Sequence, residues 1–208
     1  MQNIYSLENS RLGEDAYVVG GGKSMDFYPP ELFKDRFVLA VNQASRLVEA
    51  SYIVRKENTI VSNDHTPVIA SRHKAGCVEM GENKADYLFD HNQNFCHTIS
   101  DKSCHPYGEK IIVSWSTITS AIHLAAYMGA KTVFLVGHDC ATIDGCQVAD
   151  GYYDGVSRLT PEQDYAKWLS VIAPQTAFLR DYLQKSYGVS LISLSPFIGL
   201  KHEGHIIA

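Results

Sequence analysis

Apolar runs and segments of helical spacing alternate along the second half of the chain. Residues 110–115 and 131–136 have the nearly uninterrupted apolar composition of buried strands, and residues 116–128 between them carry apolar side chains at helical spacing. A strand, a helix and a second strand in this order form a parallel unit. The pattern predicts an α/β fold with a doubly wound, mostly parallel, Rossmann-like sheet in a single domain of residues 1–208.

Shorter apolar runs predict the rest of the sheet. Further strands are expected at residues 16–19, 37–41, 52–54, 67–70 and 189–194. A long helix is expected within residues 160–187, and Pro174 should kink or split it. Residues 71–109 show little periodicity and are expected to form a partly irregular lid or insertion, whereas a mobile loop is expected at about 140–159.

Three consecutive glycines follow the first predicted strand directly, namely Gly20, Gly21 and Gly22. Glycines let the backbone pass close to a ligand, and the free N–H groups of such a turn attract phosphate. The pattern therefore predicts a nucleotide site. Met25 stands where the dinucleotide fingerprint needs its third glycine, so a classical NAD site is not expected. Lys23 and Ser24 complete only part of the phosphate loop of NTPases.

Two amide side chains, Asn42 and Gln43, end the strand at 37–41, where a dinucleotide enzyme would usually place an acid. Their neutral hydrogen bonds are suited to reading the edge of a base or a ribose hydroxyl. An alternative is that Asn42 caps a helix over residues 44–50.

Hydroxyl side chains crowd the start of the predicted helix at 116–128, where the helix dipole favours anions. Four such residues lie within 116–120. Thr119 and Ser120 are candidates for contact with a phosphate or ribose, and one of the four is expected simply to cap the helix. Gly137, His138 and Asp139 follow the next strand. The long loop after them is rich in acidic and aromatic side chains, namely Asp144, Asp150, Tyr152, Tyr153 and Asp154.

Net charge, hydropathy and cysteine content indicate which partners and which cellular location to expect. The 208 residues carry a net charge of -5 and a pI near 6.0, which argues against a general nucleic-acid binder. The first residues do not have the pattern of a signal peptide, and no stretch has the length and apolar character of a membrane span, so a cytoplasmic protein is expected. The five cysteines, an odd number, are expected to be reduced.

Three clusters of titratable residues allow more than one interpretation. The doublets at 96–97 and 104–105 each join a cysteine to a histidine and suit zinc, but buried cysteines and surface histidines are the favoured interpretation. No metal site is therefore predicted from the residues. Arg55 and Lys56 could face a diphosphate at a strand end, although a solvated pair is favoured.

Taken together, these short motifs resemble those of the small bacterial sialyltransferases that use CMP-sialic acid. The resemblance implies that the glycine-rich turn lies near the phosphate and that Asn42 and Gln43 recognise the cytidine. It also implies nucleotide contacts for Thr119 and Ser120, and it places Gly137 and Asp139 beside the base and ribose. Residues 152–154 are similar to a lid segment of the family, with a shifted spacing.

The chain departs from that family at three places. A glycine replaces the asparagine of the turn, Ala141 replaces a tyrosine, and residues 158–163 lack the histidine that serves as general base. Asp154, Asp139 or His138 would then have to accept the proton, and Tyr153 would border the acceptor. The implied reaction is direct displacement from a nucleotide-sugar with no required cofactor.

The related 6-hydroxymethylpterin diphosphokinase-like proteins, and the flagellin-modifying glycosyltransferase-like proteins that are similar to them, share the fold and a similar turn. They leave open ATP-dependent pyrophosphate transfer, in which Asp139, Asp144 or Asp154 would hold Mg²⁺. A nucleotide-binding protein without catalysis is a third possibility. The sequence does not specify the acceptor, the sugar or the oligomeric state.

Overall fold

The computed structural model describes residues 2–55, 65–71, 85–89, 116–140, 142–154 and 162–194. For Asn3, Ser71 and residues 162–171 it describes the backbone alone. The strand predicted at 110–115, the two Cys-His doublets and Lys56 lie outside the described residues.

The described strands form one eight-stranded sheet in the order β1-β6-β5-β4-β3-β2-β7-β8. All neighbouring pairs are parallel, which confirms the predicted α/β, Rossmann-like class. The strands are β1 (Gln2–Asn3), β2 (Asp15–Val19), β3 (Phe37–Val41), β4 (Tyr52–Arg55), β5 (Val68–Ser71), β6 (Tyr87–Phe89), β7 (Thr132–Val136) and β8 (Ser190–Ser193).

The direction of strand succession reverses at β2. From β2 the chain proceeds through β3 to β6 on one side, and β7 then pairs with the other side of β2. In open parallel sheets, ligands bind in the crevice outside the carboxyl ends of the strands at such a reversal. The side of the sheet on which the strands end, here called the carboxyl edge, is therefore where a site is expected.

Two helices, α1 (Thr117–Tyr127) and α2 (Glu162–Tyr187), contribute side chains to the same apolar core. Ala16 and Val18 of β2 face that core. The alternate residues Tyr17 and Val19 face a second core, as the period of two along a strand requires. Short 3₁₀ helices cover this second face, and they span Lys23–Phe27, Pro30–Phe33 and Asn42–Arg46.

Three expectations about elements need correction. Tyr87–Phe89 is a strand, although it lies in the region expected to be irregular. The sequence did not predict it because three residues are too few to show a period. The segment after β3 is a 3₁₀ helix that ends at Arg46. Pro174 does not split α2, which is continuous on both sides of it, whereas the kink given as the other outcome stays a prediction. Its neighbours Ile172 and Ala173 are buried, so packing holds the helix across the missing N–H donor.

No helix in the described part of the chain is both long enough and apolar enough to cross a bilayer.

Candidate functional site

The glycine turn, residues 20–22, packs main chain against main chain with the turn that follows β7. The Gly20 N–H donates to the Val136 carbonyl at 2.8 Å, and the Gly22 N–H donates to the Gly137 carbonyl at 2.8 Å. A Cβ on Gly20 would overlap that same Gly137 oxygen. The sequence predicts free backbone N–H groups at these glycines, but two of the three N–H groups donate to main-chain carbonyls of the protein. The third amide, that of Gly21, has no acceptor among the described residues.

Asp139 joins the two turns through Ser24. Its carboxylate accepts from the Ser24 N–H at 2.8 Å and from the Ser24 hydroxyl. Burial raises the pKa of Asp139, and the two hydrogen bonds from Ser24 oppose that rise. Each oxygen already accepts one hydrogen bond, and the roles of Asp139 as a base, a ribose contact or a magnesium ligand stay predictions.

The loop at 142–154, here called the covering loop, lies over the glycine turn. It begins with a tight hairpin in which the main chains of Ile143 and Cys146 exchange two hydrogen bonds of 2.9 Å. The two residues between them, 144 and 145, have positive φ values of 50° and 77°, as the favoured two-residue hairpin turn requires. Val148 then forms an antiparallel bridge with Gly22.

The second half of the covering loop closes on Gly21. The Ala149 N–H donates to the Gly21 carbonyl at 3.0 Å. The Tyr152 ring is buried, and it occupies the space that a Cβ on Gly21 would need. The Tyr153 ring lies edge-on to that of Tyr152, with 4.9 Å between centroids.

Lys23 and two carboxylates join the covering loop to the first 3₁₀ helix. The Lys23 Nζ lies 2.5 Å from Asp26 Oδ2 and 2.8 Å from Asp150 Oδ1. The Asp150 N–H donates to Asp26 Oδ1 at 3.0 Å. The hydrogen bonds to Asp150 and Asp26 raise the pKa of Lys23, so the group is charged.

Asn42 begins its 3₁₀ helix with a left-handed backbone, at φ 56°. Val41 is the N-cap, so the alternative in which Asn42 caps a helix is wrong. Gln43 beside it is buried at 5% exposure. Sparsely populated backbone conformations in non-glycine residues cluster at functional sites, and Asn42 stands at the carboxyl edge. Its predicted contact with a base stays a prediction.

Arg55 lies next to Asn42 at the carboxyl edge. Val41 pairs with Val54 in the parallel register, so the residues that follow each of them are level with one another. The Arg55 side chain is 1% exposed, so the solvated interpretation is wrong for this residue. Burial lowers the pKa of Arg55, and the charge of Asp86 opposes that effect.

The first turn of α1 lies beside the glycine turn. A Cβ built on Gly20 would stand only 2.9 Å from the Ile118 side chain. Ser116 caps the helix, since its Oγ accepts from the Ile118 N–H at 3.1 Å. Thr119 donates to the Ser116 carbonyl at 2.7 Å. Ser120 is fully buried, and its Oγ has no hydrogen-bond partner among the described residues. A cap was expected here, whereas ligand contacts of Thr119 and Ser120 stay predictions.

His138 faces α2. Its Nε2 lies 3.0 Å from Thr176 Oγ1, and the Thr176 hydroxyl donates to the Ile172 carbonyl, so the imidazole is the donor of this pair. Burial lowers the pKa of His138 to about 3, which leaves the ring neutral near pH 7. Cys140, two residues further on, has a backbone φ of 50°, and its Sγ lies 3.5 Å from the same His138 Nε2.

Asp154 is exposed at the end of the covering loop. Its main-chain carbonyl accepts a hydrogen bond from the Arg46 guanidinium. Sequence reasoning did not identify Arg46, because an isolated cation after a strand has no distinguishing pattern.

The structure thus places many of the predicted residues at the carboxyl edge around β2 and β7. Gathered there are Gly20, Gly21, Gly22, Ser24, Gly137, Asp139 and Tyr152. Asn42 and Gln43 follow the neighbouring strand β3. The described His, Cys, Asp and Glu residues include no group of three or more that could hold a metal ion.

The fold places this chain in the Rossmann-like α/β class, and a solved structure shares it. That structure is the MAf glycosyltransferase from Magnetospirillum magneticum AMB-1, with a TM-score of 0.51 and 13% identity over 90% of this chain. The chain spans about a third of the length of that protein, 33%. No protein-family model matches the chain, and neither does any curated protein.

Proposed function

We propose that this protein is a glycosyltransferase that takes its sugar from a nucleotide-sugar donor bound at the carboxyl edge. The observation that carries the proposal is the reversal of strand order at β2, with the glycine turn and the Gly137 turn joined at that point. This is the place where open parallel sheets bind nucleotides.

The likeness to the MAf glycosyltransferase supports glycosyl transfer over other nucleotide chemistry. At 13% identity it supports the fold, and the activity named for that protein is carried over as part of the proposal.

A CMP-sugar is the donor we favour, with a sialyltransferase-like reaction in the cytoplasm. The resemblance of Asn42 and Gln43 to the cytidine-binding pair supports this choice, as does their position one strand away from the glycine turn. Neighbouring strands lie about 4.8 Å apart, so a nucleotide could reach both features. Neutral amides match the donors and acceptors of a pyrimidine edge without requiring a charge.

Among the three candidates for the base, the exposed Asp154 is the one we favour. Both oxygens of Asp139 already accept from Ser24, and burial lowers the proton affinity of His138. In the proposed reaction, Asp154 takes the proton of the acceptor hydroxyl while that oxygen bonds to the anomeric carbon. The bond from the anomeric carbon to the phosphate oxygen breaks, and the nucleotide leaves with the electron pair.

Ligand-dependent melting tests the proposal. CMP, UDP, GDP and ATP are each added with and without Mg²⁺, and we expect CMP alone to raise the melting temperature by about 5–10 °C at saturating concentration. Gln43→Leu should abolish the shift. Gln184→Leu, an exposed change on α2, is the matched control and should keep it.

Two results would contradict the proposal. Stabilisation that requires ATP together with Mg²⁺ would replace it with the pyrophosphokinase alternative. Absence of a shift with every nucleotide would remove the nucleotide site itself. If CMP binds, release of CMP from CMP-sialic acid should be measured next, and a protein that binds without turnover would fit the non-catalytic alternative.

A further inference from the structure

Lys23 combines a position beside the glycine turn with partners from two different parts of the chain. Asp26 lies three residues away within the same short helix, so this contact is local. Asp150 is separated from Lys23 by 127 residues and belongs to the covering loop. The first partner moves with Lys23, whereas the second can be removed by a movement of the loop.

We infer that Lys23 is a phosphate-binding residue of the glycine turn and that the carboxylate of Asp150 occupies its ammonium group until a phosphate displaces it. The inference rests on the proposed function only in requiring a ligand that carries phosphate. Lysine is a common partner of phosphate, and here its Nζ is bonded to a carboxylate oxygen, which is itself an anionic acceptor of similar charge and hydrogen-bonding capacity.

The exposure of the two partners supports a replaceable contact. The Lys23 side chain is 17% exposed, whereas that of Asp150 is 88% exposed. The Asp150 carboxylate lies largely in solvent, which screens its attraction to the ammonium group, so a doubly charged phosphate can compete with it. An anion site needs a cation that stays in place and a competing carboxylate that can leave, and Lys23 and Asp150 fit these two requirements.

The covering loop connects this ion pair to the main chain of the turn. Ala149, next to Asp150, donates to the Gly21 carbonyl, and Tyr152 lies over Gly21. The Gly21 amide has no acceptor among the described residues. Withdrawal of Asp150 with its neighbours would therefore free the Lys23 ammonium and uncover the Gly21 amide together. Both donors would then be available to a phosphate bound at the glycine turn.

Binding of inorganic pyrophosphate and of CMP, measured by isothermal titration calorimetry at low salt, tests the inference. Asp150→Asn should tighten binding of both ligands about 3- to 10-fold, because the competing carboxylate is lost. Lys23→Met should weaken binding at least about 10-fold. Asp181→Asn and Lys131→Met are charge-matched controls in exposed ion pairs elsewhere, and each should bind like the unaltered protein.

The sign of the Asp150 effect separates this role from a structural one. If Asp150 serves only to hold the loop, Asp150→Asn will bind pyrophosphate no tighter than Asp181→Asn, and the inference is overturned. Retention of full affinity by Lys23→Met, or absence of pyrophosphate binding to both the unaltered protein and Asp150→Asn, overturns it too.

Hydrogen exchange gives a second measurement that does not depend on affinity. Pyrophosphate should speed exchange of the Ala149 amide in the unaltered protein, because its bond to Gly21 opens with the loop. Slower or unchanged exchange contradicts the displacement. The proposed function fails separately if these effects are seen with pyrophosphate while CMP gives none.

Discussion

At the scale of single residues, the glycine turn shows how one pattern can be recognised for a reason that is only partly right. The sequence marks residues 20–22 as a place of close backbone approach, and the structure agrees. The partner in that approach is the chain itself, since Gly20 meets Gly137 and Gly21 meets Tyr152. A single sequence cannot show which distant segment will meet a turn, because the meeting depends on strand order.

Replacement of Gly21 by alanine tests this packing. The new Cβ would overlap the Tyr152 ring, so we expect Gly21→Ala to lower the free energy of unfolding by about 1–3 kcal/mol in urea denaturation. In a Tyr152→Ala background the same change should cost less than about 0.5 kcal/mol. Equal costs in both backgrounds would contradict the contact.

At the scale of elements, strands with several apolar residues could be predicted, and elements defined by their neighbours could not. β2, β3, β7 and β8 carry strong apolar runs and are found near their expected positions. β1 and β6 are only two and three residues long, and they pair with each other. Such short segments show no strand pattern of their own, so only their pairing in the sheet defines them as strands. The contacts of the covering loop with Gly21 and Lys23 likewise join positions that are far apart in the sequence.

Pro174 within α2 provides a prediction at this scale. It is exposed in a helix that continues on both sides, so its main effects are the missing N–H donor and the steric conflict with the preceding turn. We expect Pro174→Ala to raise the free energy of unfolding by about 1–3 kcal/mol in urea denaturation. Gln184→Ala, at another exposed position of α2, should change it by less than about 0.5 kcal/mol. A loss of stability in Pro174→Ala would show that the helix needs the proline.

At the scale of the whole molecule, two buried histidines make stability depend on pH. Burial lowers the pKa of His123 and that of His138 to about 3 each, from an ordinary 6.5. The unfolded chain therefore binds more protons than the folded protein between these two values. The stabilisation is present above about pH 6.5 and is lost as the pH falls toward 3, by up to about 1.4 kcal/mol per pH unit for each histidine.

Denaturant unfolding between about pH 4.5 and 7 measures this slope. His123→Gln should reduce the slope, because glutamine stays neutral and can still bond to the Tyr187 hydroxyl, which lies 3.0 Å from His123 Nε2. The exposed His65 gives the control variant His65→Gln. If His123→Gln and the unaltered protein lose stability in parallel as the medium is acidified, burial of His123 is not the cause.

The position of β2 between β3 and β7 has a consequence for the order in which a nascent chain can complete its sheet. β3 follows soon after β2 in synthesis, but the other flank of β2 has to wait until residues 132–136 have left the ribosome. During that interval β2 has one unpaired edge, and an exposed apolar edge strand is prone to pair with other chains. We therefore expect a translation product that stops before residue 132 to aggregate, because β7 and β8 are missing and β2 becomes an unprotected edge strand.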